Sequence, residues 1–192
     1  MDYLRLSSGI FRNRKLKTLA GDGTRPTAAK IRSAIYDSLG QRFQGGSLLD
    51  LFSGSGAMAF EAISRGFDDA VCIDNNREAI RIIKENSVTL KTEQQITIYL
   101  NDYHSAIKKL ANKQEFDVII VDPPYAMKVL EEVVEAITAA DILAPEGTIV
   151  LEYSNKIYRK DEKLSFSGYD FVFSRRYDTT EIMMLERENN NE

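Results

Sequence analysis

Residues 48–57 have the sequence Leu-Leu-Asp-Leu-Phe-Ser-Gly-Ser-Gly-Ala, an apolar run that passes directly into a glycine-containing turn. Residues 57–65 follow with a helical pattern, and Gly66 is placed to cap the C-terminus of that helix. Glycines allow a tight turn from strand to helix and leave no Cβ in the way of an approaching ligand. The stretch therefore predicts a β-α unit whose ligand lies at the free N–H groups of the helix N-terminus.

Strand and helix patterns alternate along most of the remaining chain. Helices are predicted at 27–39 (with Thr27 as N-cap), 76–90, 103–112 and 127–140, and strands at 70–73, 96–100, 118–121 and 148–153. Residues 169–173 and 181–185 are typical of a closing antiparallel pair. Continuous apolar strands that alternate with helices predict an α/β fold with a mostly parallel sheet and helices on both faces.

Length and composition indicate one globular domain over residues 1–192. The apolar fraction of 43% and the charged fraction of 28% are ordinary for a soluble protein. No apolar run reaches the roughly 18 residues of a membrane helix, and the start of the chain lacks a signal peptide. Cys72 alone cannot form an internal disulfide. We expect a cytoplasmic monomer with a frayed polar tail at 188–192.

Positive charge is concentrated at the N-terminus. Residues 1–32 carry eight basic residues against two acidic ones, although the whole chain has a net charge of −4. We expect a basic N-terminal extension at about residues 1–26, which predicts contact with a polyanion; the alternative is a solvated leader whose charges bind nothing. The candidate RNA-binding residues are Arg12, Arg14, Lys15, Lys17, Arg25 and Arg32.

The glycine turn supplies the first candidate ligand residues, because ligands of such sheets bind at the carboxyl ends of the strands. These candidates are Asp50, Phe52, Ser53, Gly54 and Gly56. The pattern also fits the dinucleotide fingerprint. A nicotinamide site and a purely structural turn therefore remain alternatives.

Polar residues also follow the next two predicted strands. Asp74-Asn75 begins eighteen residues beyond Gly56, where a carboxylate is placed to bind the ribose hydroxyls of an adenosine. Asn101-Asp102 is the corresponding pair after strand 96–100, and its oxygens could accept the adenine amino group. The alternative for each pair is a helix N-cap.

Asp122-Pro123-Pro124-Tyr125 follows predicted strand 118–121 and is the most specific motif of the chain. The prolines hold Asp122 and Pro123 extended and donate no N–H, so the segment is rich in acceptors. The Asp122 carboxylate and the Pro123 carbonyl can converge on one amino group, with Tyr125 stacked on the attached ring. Two acceptors favour a pyramidal nitrogen with a usable lone pair, and their fixed positions are electrostatic preorganisation. The motif predicts methylation of an exocyclic amino group. Its alternative is a Pro-Pro strand end.

In combination these motifs resemble those of the Rossmann-like S-adenosylmethionine methyltransferases. The segment Arg25-Pro26-Thr27-Ala28-Ala29-Lys30-Ile31-Arg32 narrows the resemblance to the RsmD family of 16S rRNA (guanine N2)-methyltransferases. The likeness extends from about Leu6 to Leu185, although segment 153–168 is shorter than the corresponding segment of the family and differs more from it in sequence. It implies a seven-stranded sheet with an antiparallel last strand and S-adenosylmethionine as cofactor. It also implies that the partner is small-subunit rRNA or the assembling small subunit, and that the basic extension binds RNA.

Other activities compete with this interpretation. One is an amino methyltransferase that acts on a DNA base or a protein glutamine. Others are a nicotinamide oxidoreductase, which leaves the Asp122 motif unexplained, and an RNA-binding module without catalysis. We expect Tyr103 and His104 to be residues of a surface helix. No metal is predicted, because no Cys, His or Asp cluster has metal-ligand spacing.

Overall fold

The computed structural model describes residues 2–19, 26–124, 127–158 and 164–188. The strands in these ranges are β1 (Asp2–Arg5), β2 (Lys15–Thr18), β3 (Ser47–Asp50), β4 (Asp69–Asp74), β5 (Ile96–Leu100), β6 (Phe116–Val121), β7 (Leu143–Ser154), β8 (Tyr169–Tyr177) and β9 (Thr180–Arg187). The helices are α1 (Pro26–Leu39), α2 (Ala57–Arg65), α3 (Arg77–Leu90), α4 (Tyr103–Leu110) and α5 (Leu130–Ala140).

The main sheet has seven strands in the order β5-β4-β3-β6-β7-β9-β8. Strands β3 to β7 are parallel, and β9 is antiparallel to both β7 and β8. The α/β class and the antiparallel last strand are thereby confirmed. The chain runs outward from β3 to β5 and then returns to β6 on the other side of β3. This reversal of strand order is the topological switch point, where ligands of such sheets bind.

Apolar side chains cover both faces of the sheet. On one face, strand residues such as Leu49 and Ile119 pack with α4 and α5. On the other face, the alternate residues Leu48 and Ile120 pack with α1, α2 and α3. This alternation follows the two-residue period of a strand. Within the described ranges, no helix combines the length and the apolar character needed to cross a membrane.

Several element boundaries differ from the predictions. Helix α1 begins at Pro26, so Thr27 lies inside the helix rather than at its N-cap. Helix α5 begins at Leu130 instead of 127, and before it the Met127 N–H donates to the Pro124 carbonyl at 2.8 Å. Helix α4 ends at Leu110 rather than 112. Strand β7 begins five residues before the predicted strand, and a register irregularity in its pairing with β6 accommodates the predicted turn at 145–147.

The N-terminal segment is a hairpin packed on the domain rather than an extended arm. Strands β1 and β2 pair with each other, and the side chains of Leu6 and Leu16 are fully buried in the core beside α1–α3. The backbone N–H groups of Ser7 and Ser8 donate to the Glu61 carboxylate of α2 at 2.9 Å each. The hairpin is therefore part of the same packed body.

Candidate functional site

Three of the predicted residues share one face of the sheet at its carboxyl edge. Asp50 is in register with Cys72 of β4 and with Ile120 of β6. Asp74 and Asp122 lie two residues beyond these partners, so the period of the strands turns all three carboxylates toward the same face. This is the face that α1, α2 and α3 cover.

Glu152 adds a fourth carboxylate that the sequence motifs did not reveal. It lies two residues beyond Val150, which is in register with Ile120, so Glu152 of β7 is the neighbour of Asp122. Burial, followed by the negative charge of Asp122, raises the pKa of Glu152 well above its usual range. The available signal was an acid inside an otherwise apolar strand. Its proximity to Asp122 depends on strand pairing, which no local pattern contains.

Asp50 is buried beneath the glycine turn, with 2% of its surface exposed. Its carboxyl group accepts a hydrogen bond from the Phe52 N–H at 3.4 Å. Burial, followed by the charge of Asp122, raises the pKa of Asp50 to about 8. The group therefore binds a proton near neutral pH, and a nearby positive charge would favour its ionised form.

The two glycines of the turn have different environments. Gly54 has φ +53°, and a Cβ added to it would meet no atom within 4 Å, so its surface faces open space. Gly56 has φ +78° at the N-cap of α2, and a Cβ there would lie 2.8 Å from the Phe60 ring. Gly54 thus leaves room for a ligand, whereas Gly56 is required for packing. The Ser53 hydroxyl is used inside the turn, where it donates to the Asp50 carbonyl at 2.9 Å.

Asp74 connects the glycine turn to the end of β4. Its two carboxylate oxygens accept the backbone N–H groups of Gly54 and Asn76, each at 2.8 Å. The N-cap of α3 is Asn76, so the N-cap alternative for Asp74 is wrong. Asp74 is half-buried and the neighbouring Asn75 is exposed. Each carboxylate oxygen has a second lone pair, so Asp74 can accept further hydrogen bonds from a ligand.

Asp102 caps α4, as the structural alternative predicted. Its carboxylate accepts the Ser105 N–H at 2.9 Å, and this bond lowers the pKa of Asp102 below its usual value. The Asn101 N–H donates to the Asp74 carbonyl at 3.0 Å and thereby joins the ends of β4 and β5. The second carboxylate oxygen of Asp102 and the side chain of Asn101 remain the groups that we predict to contact adenine.

Phe52 and Tyr103 form an aromatic pair beside the turn, with ring centroids 5.4 Å apart. Tyr103 is half-buried and His104 is exposed, and both lie in the first turn of α4. In the parts of the chain that the structure describes, no group of three or more His, Cys, Asp or Glu side chains could hold a metal ion.

The acceptor motif begins immediately after β6. Asp122 is half-buried, Pro123 is buried and Pro124 is exposed. Tyr125 lies outside the described residues, so its predicted stacking role stays a prediction. The motif lies at the switch point between β3 and β6, where the charge of Asp122 acts on the buried Asp50 at the end of β3.

The basic residues predicted to bind RNA have several environments. Arg12 is exposed, in a loop whose Ile10 N–H donates to Ser64 near the C-terminus of α2, the end opposite to Asp122. Arg14 donates to the Thr89 carbonyl at 3.2 Å, Lys15 lies 5.7 Å from the centre of the Tyr3 ring, and Lys17 forms a 2.6 Å ion pair with Glu85. Arg25 lies outside the described residues.

Arg32 requires a correction. Its side chain is buried, and its guanidinium group lies 3.3 Å from the Glu61 carboxylate and donates to the Arg5 carbonyl at 2.8 Å. Glu61 is itself fully buried, so its charge needs this partner. Arg32 therefore joins α1 to α2 and the hairpin instead of presenting a cation to RNA.

Known proteins resemble the chain over most of its length. The family profile described as Conserved hypothetical protein 95 matches residues 4–185. A Bacillus subtilis protein provisionally named rRNA methyltransferase YlbH is 36% identical over 155 residues, 80% of this chain and 84% of that protein. Ribosomal RNA small subunit methyltransferase D of Escherichia coli K12 is 31% identical over 78% of this chain and 74% of its own length.

A solved structure has the same fold. It is that of an Escherichia coli protein provisionally named methyltransferase yhhF, with a TM-score of 0.83 and 25% identity. The match covers 97% of this chain and 98% of that one.

Proposed function

Because the chain belongs to the family described as Conserved hypothetical protein 95, we propose that it is an S-adenosylmethionine-dependent methyltransferase of small-subunit rRNA, acting on the N2 amino group of a guanine. The observation that carries this proposal is the position of Asp122 and Pro123 at the switch point, where the charge of Asp122 acts on the buried Asp50. The name of the Escherichia coli relative supports the rRNA substrate.

The residues around the glycine turn fit S-adenosylmethionine. Gly54 offers a surface without a side chain, and Asp74 keeps lone pairs for ribose hydroxyls. Asp50, with its raised pKa, favours a positively charged partner. Phe52 and the Asn101-Asp102 pair complete the proposed cofactor side of the site. Asn75 borders it, while Ser53 and Gly56 support it through the shape of the turn.

Asp122 and Pro123 would prepare the target amino group. When bound, S-adenosylmethionine supplies a methyl group on a positively charged sulfur atom. Two acceptors from the chain would hold the amino hydrogens and favour a pyramidal nitrogen whose lone pair is available for methylation. Pro124 fixes the backbone, and Tyr125 would stack on the base after it has left its own stack.

The carboxylate pair would also accept the proton that the reaction releases. Methyl transfer from a bound S-adenosylmethionine would leave S-adenosylhomocysteine and would require the amino group to lose one proton. Asp122 is the proposed acceptor. Burial and the charge of Asp122 raise the pKa of the adjacent Glu152, so the pair holds a proton readily.

Nucleoside mass spectrometry of rRNA from cells with and without this protein tests the proposal. We expect loss of N2-methylguanosine from small-subunit rRNA when the protein is absent. Unchanged N2-methylguanosine together with loss of another methylated base would support a different amino methyltransferase. A thermal shift with NAD but none with S-adenosylhomocysteine would favour the oxidoreductase. We also propose a cytoplasmic monomer, and its mass in solution can be measured by light scattering.

A further inference from the structure

A surface groove of about 640 Å³ lies between α1 and β8. Its α1 side includes Lys30, Ser33 and Asp37, and its β8 side includes Arg175 and Tyr177. Phe173 and Tyr177 pack against the core beneath α1, which shows that alternate β8 residues face this helix. The groove therefore lies on the same face of the sheet as the four carboxylates.

Two cations in the groove have no acidic partner within the described ranges. Lys30 and Arg175 are both exposed, and neither forms an ion pair there. The Arg175 guanidinium lies 5.3 Å from the centre of the Tyr177 ring, which keeps the two side chains together. Asp37 is the acid of the groove, and its carboxylate lies 3.4 Å from the guanidinium of Arg65. The groove thus combines two available cations with an aromatic ring.

Strand register fixes how far this groove lies from the catalytic motif. Arg175 of β8 is opposite Ile182 of β9, and Ile182 is opposite Glu152 of β7, the neighbour of Asp122. Adjacent strands are about 4.8 Å apart, so Arg175 lies roughly 14 Å across the sheet from Asp122. A polymer bound at Asp122 therefore needs to extend only roughly 14 Å to reach the groove.

We propose that this groove binds the RNA strand that flanks the target guanine, with Arg175 and Lys30 on its phosphates and Tyr177 against a base or ribose. A guanidinium group binds a phosphate through two parallel hydrogen bonds, and aromatic rings stack on unpaired bases. The proposal rests on the proposed function and adds the location of the substrate strand. It also moves the main RNA contact away from the hairpin, where Arg14 and Lys17 already have protein partners. Of the other two hairpin cations, Lys15 lies against the Tyr3 ring and Arg12 lies near the C-terminus of α2, at the end opposite to Asp122.

The test compares two double variants that remove the same charge. Lys30→Ala/Arg175→Ala changes the groove, and Arg12→Ala/Lys15→Ala is the matched control in the hairpin. Binding of a single-stranded RNA is measured at several salt concentrations. If each groove cation neutralises one phosphate, the slope of log K against log[salt] becomes shallower by about 0.7 × 2, roughly 1.4, in the groove variant. The hairpin variant should keep the wild-type slope.

Two further measurements complete the experiment. Both double variants should bind S-adenosylhomocysteine with wild-type affinity, because neither changes the glycine turn. Arg175→Lys should bind RNA with an affinity between those of wild type and Arg175→Ala, since lysine keeps the charge but loses the planar fork.

Equal slope changes in the two double variants would overturn the proposal, because net charge alone would then explain binding. A larger change in the hairpin variant, or no change in either, would also overturn it. The proposed function fails in a different way. Wild-type protein that binds RNA through the groove but forms no N2-methylguanosine would refute that function and leave the groove intact.

Discussion

The carboxylates at the carboxyl ends of β4 and β5 and those at the carboxyl ends of β6 and β7 lie on one edge of the sheet, but the two pairs differ in their hydrogen bonds and their charge environment. Asp74 and Asp102 accept backbone N–H groups at 2.8–2.9 Å, and the hydrogen bond to Ser105 lowers the pKa of Asp102. Glu152 instead lies beside Asp122, and burial and that charge raise its pKa. On the first side, the hydrogen bond therefore favours the ionised form of Asp102, which can accept hydrogen bonds from hydroxyl and amino groups. The second side holds a proton more readily, as a site that removes one from its substrate requires.

The largest effect that would separate the two sides is expected from Asp122→Ala. Losing one preorganised partner of the amino group should lower the single-turnover rate of methyl transfer by about 10²–10³-fold. The affinity for S-adenosylhomocysteine should hardly change, because the change is on the β6 side. Asp122→Asn should retain more activity, since its amide oxygen still accepts a hydrogen bond. A wild-type rate in the Ala variant would refute amino-group activation by Asp122.

Asp74→Ala should have the opposite effect to Asp122→Ala, because it should mainly weaken cofactor affinity. The loss of charge-assisted hydrogen bonds costs about 1.5–3 kcal/mol, or roughly 10- to 150-fold in the dissociation constant for S-adenosylhomocysteine. Calorimetry measures this constant directly. Asp117→Ala is the matched control, because Asp117 also accepts a backbone N–H, from Ser47 at 2.7 Å, but lies at the amino end of β6. An Asp74 variant that binds as tightly as this control would contradict the ribose role.

The buried Asp50 predicts a pH dependence of stability. Its folded-state pKa is about 8, whereas an unfolded aspartate has a pKa of about 4, so the folded state binds the proton more tightly. This stabilisation is complete below about pH 4 and is lost as the pH rises toward 8, by up to about 1.4 kcal/mol per pH unit.

Asp50→Asn should remove this contribution, because an amide does not titrate. Urea denaturation of both proteins at pH 5.5, 6.5 and 7.5 measures the difference in the free energy of unfolding. The wild type should lose stability relative to the Asn variant as the pH increases. A difference that stays constant across this range would show that the Asp50 pKa is not raised.

The smallest effect is expected from Asp102→Ala. Loss of the α4 N-cap should lower the free energy of unfolding by about 1 kcal/mol, and Asp102→Asn should cost little because asparagine is an equally good cap. Urea denaturation checks the cap, and calorimetry with S-adenosylhomocysteine checks the adenine contact. If Ala weakens stability but leaves cofactor affinity unchanged, Asp102 acts only as a cap.

The parts of the site that could be predicted from sequence depend on local patterns. A glycine-containing strand-to-helix turn and acids immediately after predicted strands were sufficient to bring Asp50, Asp74 and Asp122 to one edge. This succeeds because the carboxyl ends of parallel strands meet at the same edge. The same reasoning could not decide the N-cap questions, which turned out oppositely for Asp74 and Asp102. An N-cap is decided by where the backbone turns, and helix starts are uncertain from sequence by a few residues.

By itself, the sequence determined the α/β class and the composition of the strand-end loops, because each depends on residues adjacent in the chain. Only the tertiary structure decided which charged side chains are available to bind a ligand. The sequence predicted that Arg32 binds RNA with the other basic residues. In the structure, it forms a buried ion pair with Glu61, 29 residues away. Glu152 and Arg175 belong to no motif, and only strand register brings them into line with Asp122. Charges act through distance in space, and that distance is set by the pairing of segments far apart in sequence.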